Sequence, residues 1–163
     1  MDIMSVASDK SRQQELAAIE QRMNELVQQS RILEAYMNDI MTRQVAVNRA
    51  IEEARLASTT IQNVTSESDV ESLMPIGIGV YIKATVPPIK KLLVNLDAGI
   101  AIEKTRDDAL NYVESRIKEY EVAARQLEAQ RQQIEMHMNQ LQTQINQMIQ
   151  AAQQQQQQQQ QLG

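Results

Sequence analysis

The sequence predicts a mainly α-helical chain: a long antiparallel coiled-coil hairpin with a central insert of two β-hairpins that joins an oligomeric β-barrel. Three observations predict it. Apolar residues recur alternately three and four apart along both flanks, the period changes from seven to two between Met74 and Thr105, and the 163 residues hold four Tyr but no Phe, Trp or Cys. A sustained three–four alternation specifies a coiled-coil seam. Period two marks strands, and a compact core of this length would normally draw on aromatics for much of its buried area.

Residues 1–14 are expected as a flexible N-terminal tip. The opening "MDIMSVASDK" is acidic at its second residue and has no long apolar run, so it does not read as a secretory signal. Residues 15–65 are the first coiled-coil helix. One seam is Ile19, Leu26, Leu33, Ile40, Val47, Ala54 and Ile61; its companion is Leu16, Met23, Ser30, Met37, Gln44, Ile51 and Ser58. Residues 107–152 repeat the pattern. Leu110, Ile117, Ala124, Arg131, Met138, Ile145 and Ala152 form one seam, and Val113, Tyr120, Leu127, Ile134, Leu141 and Met148 the other. Neither Gly nor Pro occurs in residues 5–74 or 100–162, so nothing local breaks either helix. The two helices match in length, which favours a hairpin zipped on itself over a parallel dimer carrying the insert as a bulge. Ile61 is then expected near Leu110 and Leu16 near Ala152. The tail 153–163 contains nine consecutive glutamines (Gln153–Gln161), which either extend the helix or, as expected here, are disordered or frayed.

The insert, residues 66–106, reads as two β-hairpins joined by "PPIK" (Pro87–Lys90). A short first strand near Leu73–Ile76 contains Pro75, which belongs at a sheet edge or bulge. Gly77 and Gly79 punctuate the first turn and "DAG" (Asp97–Gly99) the second, where Gly takes positive φ. Val80, Ile82, Ala84 and Val86 share one face, as do Leu92, Val94 and Leu96, and then Ile100 and Ile102. Two short hairpins are marginal in water unless their apolar faces are covered. Both helices spend their seams on each other, and free strand edges invite another chain. These nine residues are therefore the candidate assembly surface.

Charge and side-chain chemistry exclude several functions. Net charge is −5, and residues 1–65, 66–106 and 107–163 carry 7, 5 and 4 basic against 9, 5 and 7 acidic side chains. No basic stripe with stacking aromatics exists, so no nucleic acid is expected. No run of about 18 apolar residues occurs, so no membrane is expected. His137 is the single histidine and is read as a solvated helix residue, with no metal or other cofactor. "GIG" at Gly77–Gly79 lacks the third glycine of a dinucleotide loop, Ile82 standing there. Asp107 and Asp108 read as a helix start capped by Thr105. Arg131 reads as a seam residue snorkelling towards Glu128 or Glu135. No nucleophile–base pair appears, and no catalysis is expected. Near the presumed tip, Ile3, Met4, Val6, Met148 and Ile149 are candidates for an adaptable apolar binding surface.

"LMPIGIGVYIKATV" followed by "KLLVNLDAGIAIEKTRDDALNYVESRI" resembles the alpha class of the prefoldin family, across roughly Glu15–Met148. In that class four strands sit between two coiled-coil helices, whereas beta-class subunits carry one hairpin. The compact "VPPIKK" link and the glutamine run depart from the family pattern. The resemblance implies a cytoplasmic hexamer of two alpha and four beta subunits on a double β-barrel platform. It also implies that coiled-coil arms hold unfolded client proteins between their tips, without ATP, and hand them to a group II chaperonin. The alternative is a structural coiled-coil tether or adaptor with one fixed protein partner.

Overall fold

The computed structural model describes residues 2–64, 67–96 and 98–162. Asp97 of the expected second turn, Thr65 and Ser66 at the first boundary, and the terminal Met1 and Gly163 lie outside the described residues. The elements in chain order are α1 (Asp2–Asn63), β1 (Val70–Gly77), β2 (Val80–Val86), β3 (Lys91–Leu96), β4 (Ile100–Thr105) and α2 (Arg106–Gln161). Good helix formers without Gly or Pro carry α1 and α2 unbroken. Inside the helices Thr42, Thr60 and Thr143 each return a hydroxyl bond of 2.9 Å to the carbonyl four residues back. Helix α1 already begins at Asp2, so the segment expected as a tip is helical. Helix α2 runs to Gln161, so the glutamine run extends the helix rather than standing apart from it. No helix among the described residues is long and apolar enough to cross a membrane.

The chain divides into two compact units. The first joins Met1–Arg43 to Leu127–Gly163, and the second is Gln44–Gln126. In the first unit α1 and α2 run antiparallel: Leu33 lines a groove with His137 and Leu141, Leu26 one with Gln144 and Met148, and Leu16 one with Gln155 and Gln158. The seams face inward. Leu26, Ile40 and Leu127 are buried, and Ile19, Met23, Leu33, Met37, Ile134, Met138, Leu141, Ile145 and Met148 are half-buried. Leu16 departs from the expected pattern and is 55% exposed. The reason is its partner. Packing Met148 beside Leu26 carries Leu16 past Ala152 and leaves it against glutamines, about one helical turn beyond the expected pairing.

In the second unit α1 and α2 again run antiparallel, with Arg55 Nη2 3.4 Å from Glu121 Oε1 and Ile51 and Ala109 buried. The junction is tied by Arg106. Its Nε donates to the carbonyl of Ile61 (3.0 Å) and its Nη2 to that of Gln62 (2.6 Å). The first residue of α2 thereby satisfies two of the carbonyls that the end of α1 leaves open, where a cation is favoured. At its own start α2 is capped as expected: the Asp108 amide donates to Thr105 Oγ1 at 3.2 Å, with Asp107 and Asp108 in the first turn.

The insert forms two separate two-stranded antiparallel sheets, β1–β2 and β3–β4. Strand β1 is longer than expected because Val70, Glu71 and Ser72 find partners in Val86, Thr85 and Ala84. Its register shifts between Pro75 and Gly77, a bulge beside the proline. Positive φ runs through Gly77, Ile78 and Gly79 in the first turn, and through Ala98 and Gly99 in the second.

Candidate functional site

The first candidate surface lies on the insert. In an antiparallel pair, residues directly opposite share a face. Ile82 stands opposite Met74, Ala84 opposite Ser72 and Val86 opposite Val70. In the other sheet Val94 stands opposite Ile102 and Leu96 opposite Ile100. Each sheet thus gathers its share of the nine expected assembly residues on one apolar face, with Val80 beside the first turn and Leu92 two residues before Val94. None is buried: Val80, Ile82, Ile100 and Ile102 are exposed, and Ala84, Val86, Leu92, Val94 and Leu96 are half-buried. Sequence reasoning missed Val70 and Met74 as members. Counting back from the Gly77–Gly79 turn would have found them only with the bulge taken into account. The other face of the second sheet is mixed: Lys91, Asn95, Glu103 and Thr105 share it with Ala101 and an exposed Leu93, and Lys91 Nζ lies 3.7 Å from Glu103 Oε2. Each sheet has two strands, so every strand keeps one unpaired edge, and each apolar face lies open.

The second candidate surface lies in the first unit, and the structure divides the five residues expected there. Ile3, Met4 and Val6 are exposed on the first turns of α1. Met148 instead lines a groove with Arg22, Leu26 and Ala151, and Ile149 follows it on α2. Arg22 is sixteen or more residues along α1 from Ile3–Val6, about 24 Å at 1.5 Å per residue. Leu162, the residue that follows α2, lines a groove with Arg12. The turns of α1 before Arg12 therefore extend past the described end of α2. The arm end is an apolar overhang on one helix and, separately, a seam that runs out of apolar residues.

The remaining candidates resolve as helix chemistry. Arg131 reaches from the seam to both acidic neighbours, with Nη2 2.9 Å from Glu128 Oε1 and Nη1 3.2 Å from Glu135 Oε1. Glu128, by its hydrogen bonds and then its charge, and Glu135 hold the guanidinium above its ordinary pKa. His137 is exposed beside Ile32 and Leu33, and no cluster of three or more metal-ligating side chains occurs among the described residues.

Comparison with known proteins follows this geometry. The family described as "Prefoldin subunit" matches residues 7–158. Prefoldin subunit alpha of Nitrosopumilus maritimus is 33% identical over 134 residues, covering 82% of this chain and 92% of that protein. Prefoldin subunit alpha of Methanocorpusculum labreanum is 36% identical over 113 residues, covering 63% and 75%. Among solved structures, filamentous PFD from Methanocaldococcus jannaschii aligns with a TM-score of 0.58 at 20% identity, over 74% of this chain and 98% of that one, a likeness of fold.

Proposed function

The chain belongs to the prefoldin family of chaperone subunits, and from that premise we propose that it is the alpha-class member of a hexameric, ATP-independent holding chaperone. Two such chains combine with four beta-class subunits in the cytoplasm. The observation that carries this reading is the insert: two two-stranded sheets, each with an uncovered apolar face and open edges, in one polypeptide. Sister subunits supply the missing strands, and the nine residues from Val80 to Ile102 line the joint. The coiled-coil arms bind exposed apolar segments of unfolded clients through residues at their ends, Ile3, Met4 and Val6 first among them, with Met148 and Ile149 further along. Each contact is weak, and several arms on one platform raise avidity by about 10² to 10⁴ where their reach spans the client. Weak contacts also let a group II chaperonin displace the arms in steps, so release needs no nucleotide and no catalytic group.

Co-expression with a beta-class prefoldin subunit, followed by native mass measurement and an aggregation assay, tests the proposal. A mixed hexamer that suppresses aggregation is expected. Trimming residues 1–15 and 145–163 should leave the hexamer intact and remove protection. Saturable binding to one fixed partner without general suppression would instead indicate a tether.

A further inference from the structure

The second faces of the two hairpins carry one plan with opposite signs. On the first sheet, the face away from Met74 and Ile82 holds the cross-strand pairs Glu71–Thr85, Leu73–Lys83 and Pro75–Tyr81, in order from the open end to the turn. On the second, the face away from Val94 and Ile102 holds Lys91–Thr105, Leu93–Glu103 and Asn95–Ala101 in the same order. Each face begins with a charged residue opposite a threonine. Each then sets a leucine opposite a second charge, and those central charges, Lys83 and Glu103, are of opposite sign.

All of these residues are exposed, with Leu73 60% and Leu93 72% exposed. One exposed leucine is ordinary. Two at the same place in matching frames form a pattern. The central charges are available to another molecule. Lys83 makes no ion pair among the described residues. Glu103 meets Lys91 at 3.7 Å with both side chains largely exposed, a pair that contributes little.

Charge decides which face fits which. The first sheet laid on a copy of itself sets Lys83 against Lys83, and the second on a copy sets Glu103 against Glu103, both unfavourable. The first on the second is complementary. Laid face to face with their turns at opposite ends, the two sheets bring Leu73 onto Leu93 and Lys83 onto Glu103, and Tyr81 covers Thr105. In a closed barrel the strongly apolar faces point inward and these faces outward. Sister strands within one complex take up the inward faces and the edges, so the copy that meets an outward face belongs to another complex.

We infer that these outward faces form a second interface, by which one assembled complex docks on another: the β1–β2 face of this chain on the β3–β4 face of a second copy. This inference rests on the platform proposed above and adds a contact outside it. The faces are small, so the pairing is weak, concentration-dependent and sensitive to salt.

The test uses the full chain assembled with its beta-class partner, followed by sedimentation velocity at rising concentration. Complexes of the unaltered chain should pair into particles of twice the hexamer mass, and about 0.5 M salt should raise the dissociation constant several-fold. Lys83→Glu or Glu103→Lys sets like charges across the contact. Each alone should weaken pairing about tenfold and leave the hexamer whole, because neither residue lies on an inward face. Mixing the two variant complexes restores opposite charges at both hairpins, and the mixture should pair as the unaltered chain does. Single hexamers at every concentration would overturn the inference and leave the face to a different protein. Pairing indifferent to salt, reversal variants that pair undiminished, or a mixture that fails to pair would overturn it as well. Failure of the unaltered chain to form a hexamer would instead remove the platform reading itself, and this inference with it.

Discussion

Arg106 shows how much one side chain decides at a junction. It spans the start of α2 and the end of α1 through two carbonyls, Ile61 and Gln62. Hydrogen bonds to a charged donor contribute more than neutral ones, and this pair is partly solvated. Arg106→Ala is therefore expected to lower stability by about 1–2 kcal/mol, with faster hydrogen exchange confined to the last turn of α1. Arg106→Lys recovers only part, because a single ammonium lacks the planar fork that addresses two acceptors. Ile78 is the opposite case. It is fully solvent-exposed at a φ of 51°, a left-handed conformation that a β-branched side chain adopts at a penalty. Its side chain packs against nothing within the chain, so Ile78→Asn should stabilise the β1–β2 hairpin by about 1 kcal/mol, seen as a higher denaturation midpoint in the unassembled chain. A loss of stability on that substitution would mean the isoleucine makes contacts that the unassembled fold does not contain.

At the level of elements, the helical seam separates into a tight stretch and a loose end. Leu26→Ala should cost about 2–4 kcal/mol because Leu26 is 1% exposed, while Leu16→Ala should cost less than about 1 kcal/mol. Urea titration of the two variants checks the contrast, and similar losses would contradict the polar closure of the arm end. The seams were legible in the sequence because heptad spacing alone says which face of a helix turns inward. Every predicted α1 seam position from Ile19 to Ile61 is covered, and even Arg131 reaches Glu128 and Glu135 as its neighbours imply. Axial register was not legible. A seven-residue repeat looks the same after a slide along the axis, so the spacing of Ile3–Val6 from Met148 depended on packing around Leu26. The role of Arg106 was equally hidden, since it exists only once α2 folds back on the end of α1. In the insert, alternation revealed the faces, but the bulge beside Pro75 decided that Met74 meets Ile82.

For the whole molecule, the insert is the part with most to gain from assembly. Two hairpins with open faces and open edges are marginal by themselves, and added strands would stabilise them. The double variant Ile82→Asp with Val94→Asp places a carboxylate on each apolar face. It should abolish the mixed oligomer while leaving the helical circular dichroism signal largely unchanged, because neither residue belongs to a helical seam. Native mass spectrometry reads the first outcome, and a hexamer that persists would show that the strands are not the joint. The uncharged last stretch of α2 has a separate, practical consequence. Trypsin finds no cleavage site after Arg131, and Lys10 is the one lysine side chain in the first unit. Cross-linking through lysine side chains would accordingly record whatever visits the open end of the arm from the α1 side, at Lys10, and would leave the glutamine helix blank.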